Sequence, residues 1–198
     1  MKKIILSQSF IKAMNHGQEL DELEGRDRPQ CPARAQAIYI DGMESRASEA
    51  MSYGNFMETL LWGATGNGEV TTLKRKAGDL EKRVVQKRLE HQAWMFKNRW
   101  MPEMNMTVLE NHPAAIKVKL GERYVFRARL DMYASFQDDE TFHPKVIGDL
   151  KVTADVNSSF GPFSWGAPHL MDHIQAIAYT WAHAQKFKEW LPFYYFVL

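Results

Sequence analysis

The stretch Lys145-Val146-Ile147-Gly148-Asp149-Leu150-Lys151-Val152 decides how this chain is read. It is short and apolar, with β-branched residues around a single acid, so it predicts a strand. Alternation along a strand sends Asp149 and Lys151 to one face and Leu150 to the other, setting a carboxylate beside an ammonium. Just upstream, Asp131-Met132-Tyr133-Ala134-Ser135-Phe136 reads as a neighbouring strand carrying a second acid, with Gln137 to Pro144 as a polar turn between the two. Pairing of these strands brings the two carboxylates together. Like charges that close drive each other towards protonation unless a cation lies between them. Hard oxygen ligands select Mg²⁺, or Mn²⁺ in its place. Taken alone, Asp-x-Lys also fits a salt-bridged surface hairpin, a short pattern met by chance in many proteins.

Further upstream, Val108, Ile116, Val118, Leu120, Tyr124, Phe126, Ala128 and Leu130 alternate with polar residues, and Gly121-Glu122 supplies a hairpin turn. This predicts a meander that runs into the Asp131 strand. Downstream of the loop from Ser158 to Pro168, His169 to Lys186 predicts a helix, and Pro192 introduces a strand over 193–198. Nothing follows Leu198 to turn or cap that strand, which reads as a chain cut short or as the last strand of its sheet.

The first half is helical in pattern. Met51, Phe56, Met57, Leu60, Leu61 and Trp62 form an apolar stripe within 48–63, a helix opening near Ser52 or Asn55 that carries Glu58. Residues 77–100 predict a long amphipathic helix with a basic face. Residues 4–16 show a looser helical recurrence that Ser7 could cap, and 34–39 reads as a further helix. The expectation is one α/β domain over 1–198, helical to about residue 104, with a central mixed sheet of about four or five strands flanked by helices.

Composition narrows the function. Lys plus Arg (25) nearly cancels Asp plus Glu (24), so phosphate binding needs a local patch rather than a global field. A single cysteine, Cys31, admits no internal disulfide and no four-cysteine zinc or iron–sulfur site. No stretch approaches the roughly 18 apolar residues of a membrane span, and the apolar start of the chain stops at Ser7 without a signal-peptide cleavage pattern. The expectation is a cytoplasmic protein with no membrane partner.

Asp131, then Gly148-Asp149-Leu150-Lys151, then Gln175-Ala176-Ile177-Ala178-Tyr179 resemble the successive motifs of the PD-(D/E)xK nucleases, in the RecB-type and lambda-exonuclease-type branch with its Gln-x-x-x-Tyr element. Leu6-Ser7-Gln8-Ser9-Phe10, Cys31-Pro32-Ala33-Arg34 and Tyr53-Gly54-Asn55-Phe56-Met57-Glu58 are similar to that branch's N-terminal helices, in the same order. The resemblance implies a restriction-endonuclease-like core and a Mg²⁺-dependent deoxyribonuclease. Such an enzyme would be an exonuclease of recombination, repair or phage DNA processing, with DNA as partner and a homo-oligomer or a recombination protein as a further one.

It further implies that Asp131 and Asp149 ligate metal with the main-chain carbonyl of Leu150, that Glu58 is a further acidic ligand, and that Lys151 is the catalytic lysine. Gln175, Tyr179, Ser9 and Arg34 would meet DNA. Chemically, a glutamate among Phe56, Met57, Leu60 and Leu61 lies near a core, where an unpaired carboxylate is costly and a metal would offset the cost. Gln175 and Tyr179, four apart, share a helix face and can both donate to phosphate. The basic run Lys74, Arg75, Lys76, Lys82, Arg83, Lys87 and Arg88 is the candidate for backbone contacts. The tryptophans read as core, apart from Trp165, which could stack on a base. His169 and His173 lack the partners of a zinc site. Three other readings share the residues: a DNA-binding or scaffolding protein without hydrolysis, a structure-selective endonuclease, and a structural Ca²⁺ site.

Overall fold

A computed structural model describes residues 4–7, 49–73, 80–137, 142–152 and 170–198. Their three longer helices are α1 (Glu49–Trp62), α2 (Leu80–Met95) and α3 (Leu170–Phe187). Their strands are β1 (Ile4–Ser7), β2 (Met106–Asn111), β3 (Ile116–Leu120), β4 (Tyr124–Ala128), β5 (Met132–Gln137), β6 (Phe142–Lys151) and β7 (Phe193–Val197). The architecture is α/β, as expected, but the strands divide between two mixed sheets in two compact units.

One unit holds β1, β3, β4 and α3. The alternating run forms the antiparallel β3–β4 hairpin around Gly121, whose φ of +68° needs a glycine-like backbone. β1 lies parallel to β4, with Ile4 beside Tyr124. The helix expected from residue 4 is therefore a strand over Ile4–Ser7: two adjacent β-branched isoleucines suit a pleated strand, and β4 offers the hydrogen-bonding edge. The rest of that expected helix, and the one over 34–39, lie outside the described residues. α3 packs on the hairpin, with the Trp181 and Phe126 rings edge to face at 5.9 Å.

The second unit holds α1, α2 and the sheet β2-β5-β6-β7. After β4 the chain leaves the hairpin's sheet, so β5 pairs antiparallel with β2 and β6 instead of continuing a meander. β7 runs parallel to β6, setting Asp149 beside Tyr195. The expected turn from Gln137 is shorter than predicted: Gln137 ends β5 and β6 already begins at Phe142. The register of β5 and β6 shifts between Ala134 and Phe136, opposite the segment with Pro144, which has no N–H to give the ladder.

α1 opens at Glu49, one to two turns earlier than read, and buries Phe56, Met57 and Leu61 at helical spacing. α2 buries Leu89 and Ala93, then passes into a π-helical turn (Phe96–Trp100) that carries Phe96 into the core. There its ring meets that of Phe196 edge to face at 5.7 Å. Met132, Ala134 and Val146 complete this core from the sheet. Two tryptophans expected in cores are exposed instead, Trp94 (57%) and Trp190 (67%).

Gly148 is part of this packing. A Cβ there would stand 2.8 Å from Met132 Cγ and 2.9 Å from Phe196 Cε2, both in crowded surroundings. Gly148→Ala is expected to destabilise the protein by about 1–3 kcal/mol through overpacking, read from the urea midpoint of unfolding. An unchanged midpoint would show that the two neighbours yield freely.

Candidate active site

β6 is buried from Val146 to Asp149, as its near-continuous apolar sequence requires. Asp149 interrupts that run and is only 3% exposed, the one carboxylate among the described residues so thoroughly buried. Burying a carboxylate is costly unless charge or hydrogen bonds compensate. Lys151, on the same strand face, answers with its Nζ 2.7 Å from Asp149 Oδ2. The ammonium also lies 5.6 Å from the centre of the Tyr195 ring, which the parallel pairing of β7 brings alongside. Lys151 is thus held between a carboxylate and an aromatic face.

Asp131 sits in the bend just before β5, not within the strand as expected. Its Oδ2 accepts the Leu150 N–H at 2.8 Å, which ties it to the Asp149-Leu150-Lys151 segment. Burial pushes the Asp131 carboxyl well above the usual carboxylate range, and the neighbouring charge of Asp149 pushes it the same way. The Leu150 hydrogen bond opposes the shift, Glu58 adds to it, and Lys151 opposes it more weakly. Asp149 and Glu58 thus act on Asp131 in one direction, and Lys151 only partly offsets them.

Glu58 reaches this place from α1. Its Oε2 accepts the Gly66 N–H at 3.0 Å. The turn that presents this N–H is built by Thr65, 5% exposed. Thr65 exchanges main-chain hydrogen bonds with Gly68 and Glu69, and its hydroxyl accepts from the N–H groups of Asn67 and Glu69. The chain beyond is stapled back to α1 by the Thr71 N–H on the Thr59 hydroxyl, 3.1 Å. The polar signature Thr65-Gly66-Asn67-Gly68 thus holds a glutamate in place.

Two residues escape a reading of the sequence. His112 lies with its Nε2 3.2 Å from the Ala64 carbonyl oxygen and 3.7 Å from Glu58 Oε2. Its N–H donates to the Asp131 carbonyl at 2.7 Å. Tyr195 is the other, and only the β6–β7 register reveals it.

Gln175 and Tyr179 belong to the first unit, on the side of α3 that is buried, 5% and 8% exposed. Ser9, Arg34, Lys74, Arg75, Lys76, Trp165 and His169 lie outside the described residues, and His173 is exposed. On α2, Arg83 and Lys87 are exposed one turn apart, and further along the same helix His91 stacks on Trp94 at 6.4 Å. Arg88 is only partly exposed, which narrows the basic face that the sequence suggested.

Among the described residues no three His, Cys, Asp or Glu side chains converge closely enough to enclose an ion by themselves. A Mg²⁺ site does not need three, because that ion keeps several waters and commonly takes one or two carboxylates. The buried carboxylate of Asp149, the half-buried one of Asp131 and the main-chain carbonyl of Leu150 are a hard-oxygen donor set that suits it. No helix among the described residues is long and apolar enough to cross a membrane. Compared with known proteins, the chain matches no family model and no curated sequence.

Proposed function

We propose that this protein is a metal-dependent deoxyribonuclease that hydrolyses phosphodiester bonds at Asp131, Asp149 and Lys151. The observation that carries the reading is a carboxylate buried on β6, Asp149, paired with Lys151 at 2.7 Å, with a second carboxylate, Asp131, tied to the same segment by the Leu150 N–H. Evolution of a fold that merely needed a stable sheet has cheaper residues for a buried strand, since an apolar pair of similar volume is as stable or more so. Such an arrangement suits a site that handles charge.

Asp131, Asp149 and the Leu150 carbonyl would hold Mg²⁺, or Mn²⁺ in its place, with Glu58 beside them. When bound, the ion supplies Lewis acidity towards phosphate oxygens and lowers the pKa of a coordinated water. The protein's own part is electrostatic. Lys151, fixed by Asp149 and Tyr195, orients the nucleophile and offsets negative charge as it develops on the phosphate, with no reorganisation needed at the moment of reaction. Asp131, clasped by Leu150, keeps its carboxylate aimed at the same place. DNA is the proposed substrate. Exonucleolytic action in recombination, repair or phage DNA processing follows from the motif order alone, as does contact of Gln175 and Tyr179 with the DNA backbone.

The test is digestion of linear and circular, single- and double-stranded DNA with Mg²⁺, Mn²⁺ or EDTA. Cleavage of linear DNA that EDTA abolishes supports the proposal, and sparing of circles supports an exonuclease. DNA binding without cleavage in either metal would favour the scaffolding alternative.

The exposed side of α2 is the proposed backbone contact. Arg83→Gln with Lys87→Gln should weaken DNA binding, and the slope of log K against log salt should become shallower by roughly two, one for each phosphate no longer neutralised. Fluorescence anisotropy in EDTA at several salt concentrations measures this. An unchanged slope would remove α2 from the interface.

A further inference from the structure

We propose that His112 is a positioning residue that fixes Glu58 and Asp131 relative to each other, a role that rests on the metal-nuclease reading of this site. His112 follows β2 directly, and its φ of +47° lies in the left-handed region, uncommon for residues other than glycine although histidine, asparagine and aspartate enter it more often than the rest. It also precedes Pro113, which further restricts the backbone of the residue before it. A strained conformation persists where its surroundings hold it, and such positions gather at functional sites.

The surroundings are specific. The His112 main chain donates to the Asp131 carbonyl at 2.7 Å, which fixes the bend bearing that carboxylate. Its ring points the other way, to the Ala64 carbonyl at 3.2 Å and to Glu58 at 3.7 Å. The first distance is a hydrogen bond, and the second is a close contact that becomes an ion pair when the imidazole carries a proton. Glu58 Oε2 therefore has the Gly66 N–H on one side and the imidazole on another. The ring is also seated on the turn: a Cβ at Gly66 would stand 3.1 Å from His112 Nδ1, so a side chain after Thr65 would press on the imidazole. Side chains of His112 and Glu58 are 16% and 22% exposed, a partly buried pair in which such contacts are screened less than in water.

One residue thus bridges two elements that carry acids: its backbone holds the segment of Asp131, and its ring holds the helix residue Glu58. Partners of this kind, one step behind the ligands, commonly change metal affinity or activity by 10- to 100-fold when removed.

The test separates backbone from ring. His112→Asn tolerates the left-handed backbone and keeps the N–H but cannot reach Glu58 and Ala64 with a ring, whereas His112→Gly removes the strain and leaves room for added imidazole. Mn²⁺ binding to the full chain without DNA is read by electron paramagnetic resonance, with melting temperature in EDTA and kcat and KM for DNA alongside. The expected result is Mn²⁺ binding weaker by about 10- to 100-fold in both variants, a near-native melting temperature for His112→Asn, an unchanged KM for DNA, and partial recovery of His112→Gly in imidazole. Wild-type Mn²⁺ affinity in His112→Asn would overturn the positioning role while leaving the metal site intact. A loss of binding matched by a fall in melting temperature in both variants, with no rescue by imidazole, would overturn it in favour of a purely structural histidine. Absence of Mn²⁺ binding in the wild type would overturn the metal reading and the proposal with it.

Discussion

Asp131→Asn is expected to lower DNA cleavage by about a thousandfold, on the scale of losing a group that stabilises transition-state charge, while raising the melting temperature of the metal-free protein. Asparagine keeps an oxygen for the Leu150 N–H, so the 2.8 Å hydrogen bond has an acceptor. What disappears is the charge, and with it the repulsion from Asp149 and Glu58 that pushes the Asp131 carboxyl up. Lys151→Met should lower cleavage comparably but act on stability with the opposite sign. It strips Asp149, 3% exposed, of a cation at 2.7 Å. Removing one partner of a buried pair costs several kcal/mol; with the lysine side chain 26% exposed, a loss on the order of 1–3 kcal/mol is expected. Thermal denaturation in EDTA reads both. Two variants equally inactive but displaced in opposite directions would separate a charge-handling site from a general packing defect. Displacement of both in the same direction would contradict the charge arrangement described.

The second large effect is on pH. Between the ordinary carboxylate value of 3.8 and the raised value of Asp131, the folded protein holds a proton that the unfolded chain has released. Metal-free stability should therefore decline as pH rises through that window and level off above it. Because a metal requires the carboxylate, it must displace that proton wherever the pH lies below the raised value. Apparent Mg²⁺ affinity should accordingly rise about tenfold per pH unit for one displaced proton, then become flat. Melting curves in EDTA and calorimetric Mg²⁺ titrations across the range check the two slopes. Asp131→Asn should remove the Asp131 contribution from the first and, by deleting the titrating ligand, from the second. A Mg²⁺ affinity independent of pH would mean that Asp131 is not displaced from its proton by the ion.

Much of this arrangement is local enough to be visible in sequence. β6 is readable because eight consecutive residues combine apolar character with alternation, and Glu58 because an acid among Phe56, Met57, Leu60 and Leu61 demands a reason. The β3–β4 hairpin follows from its period and its glycine. What stays hidden depends on partners far along the chain. β1 is four residues long, and its strand character comes from pairing with β4 more than a hundred residues away; apolar recurrence around it reads as helix when that partner is unknown. The departure of β5 from the hairpin's sheet has no local signal either, since one alternating run continues through the change of sheet.

The site divides in the same way. Asp131, Asp149 and Lys151 are legible because β5, which Asp131 immediately precedes, and β6 are neighbours in sequence. Tyr195 is not, because the parallel register of β7 on β6 sets it beside Asp149 across a long intervening segment. His112 is hidden because its ring acts 48 residues away on Ala64, and a histidine before a proline carries no motif. The turn Thr65-Gly66-Asn67-Gly68 is recognisable as a turn, but its hydrogen bond to Glu58 depends on the helix folding back against it.

Cleavage of one labelled linear DNA in Mg²⁺ by the wild type and by Asp149→Ala, side by side at equal folded concentration, tests the central claim most directly. Metal-dependent cleavage by the wild type is expected, with a rate for the variant lower by about a thousandfold or more. Equal rates for the two, or no cleavage by the wild type, would contradict the claim.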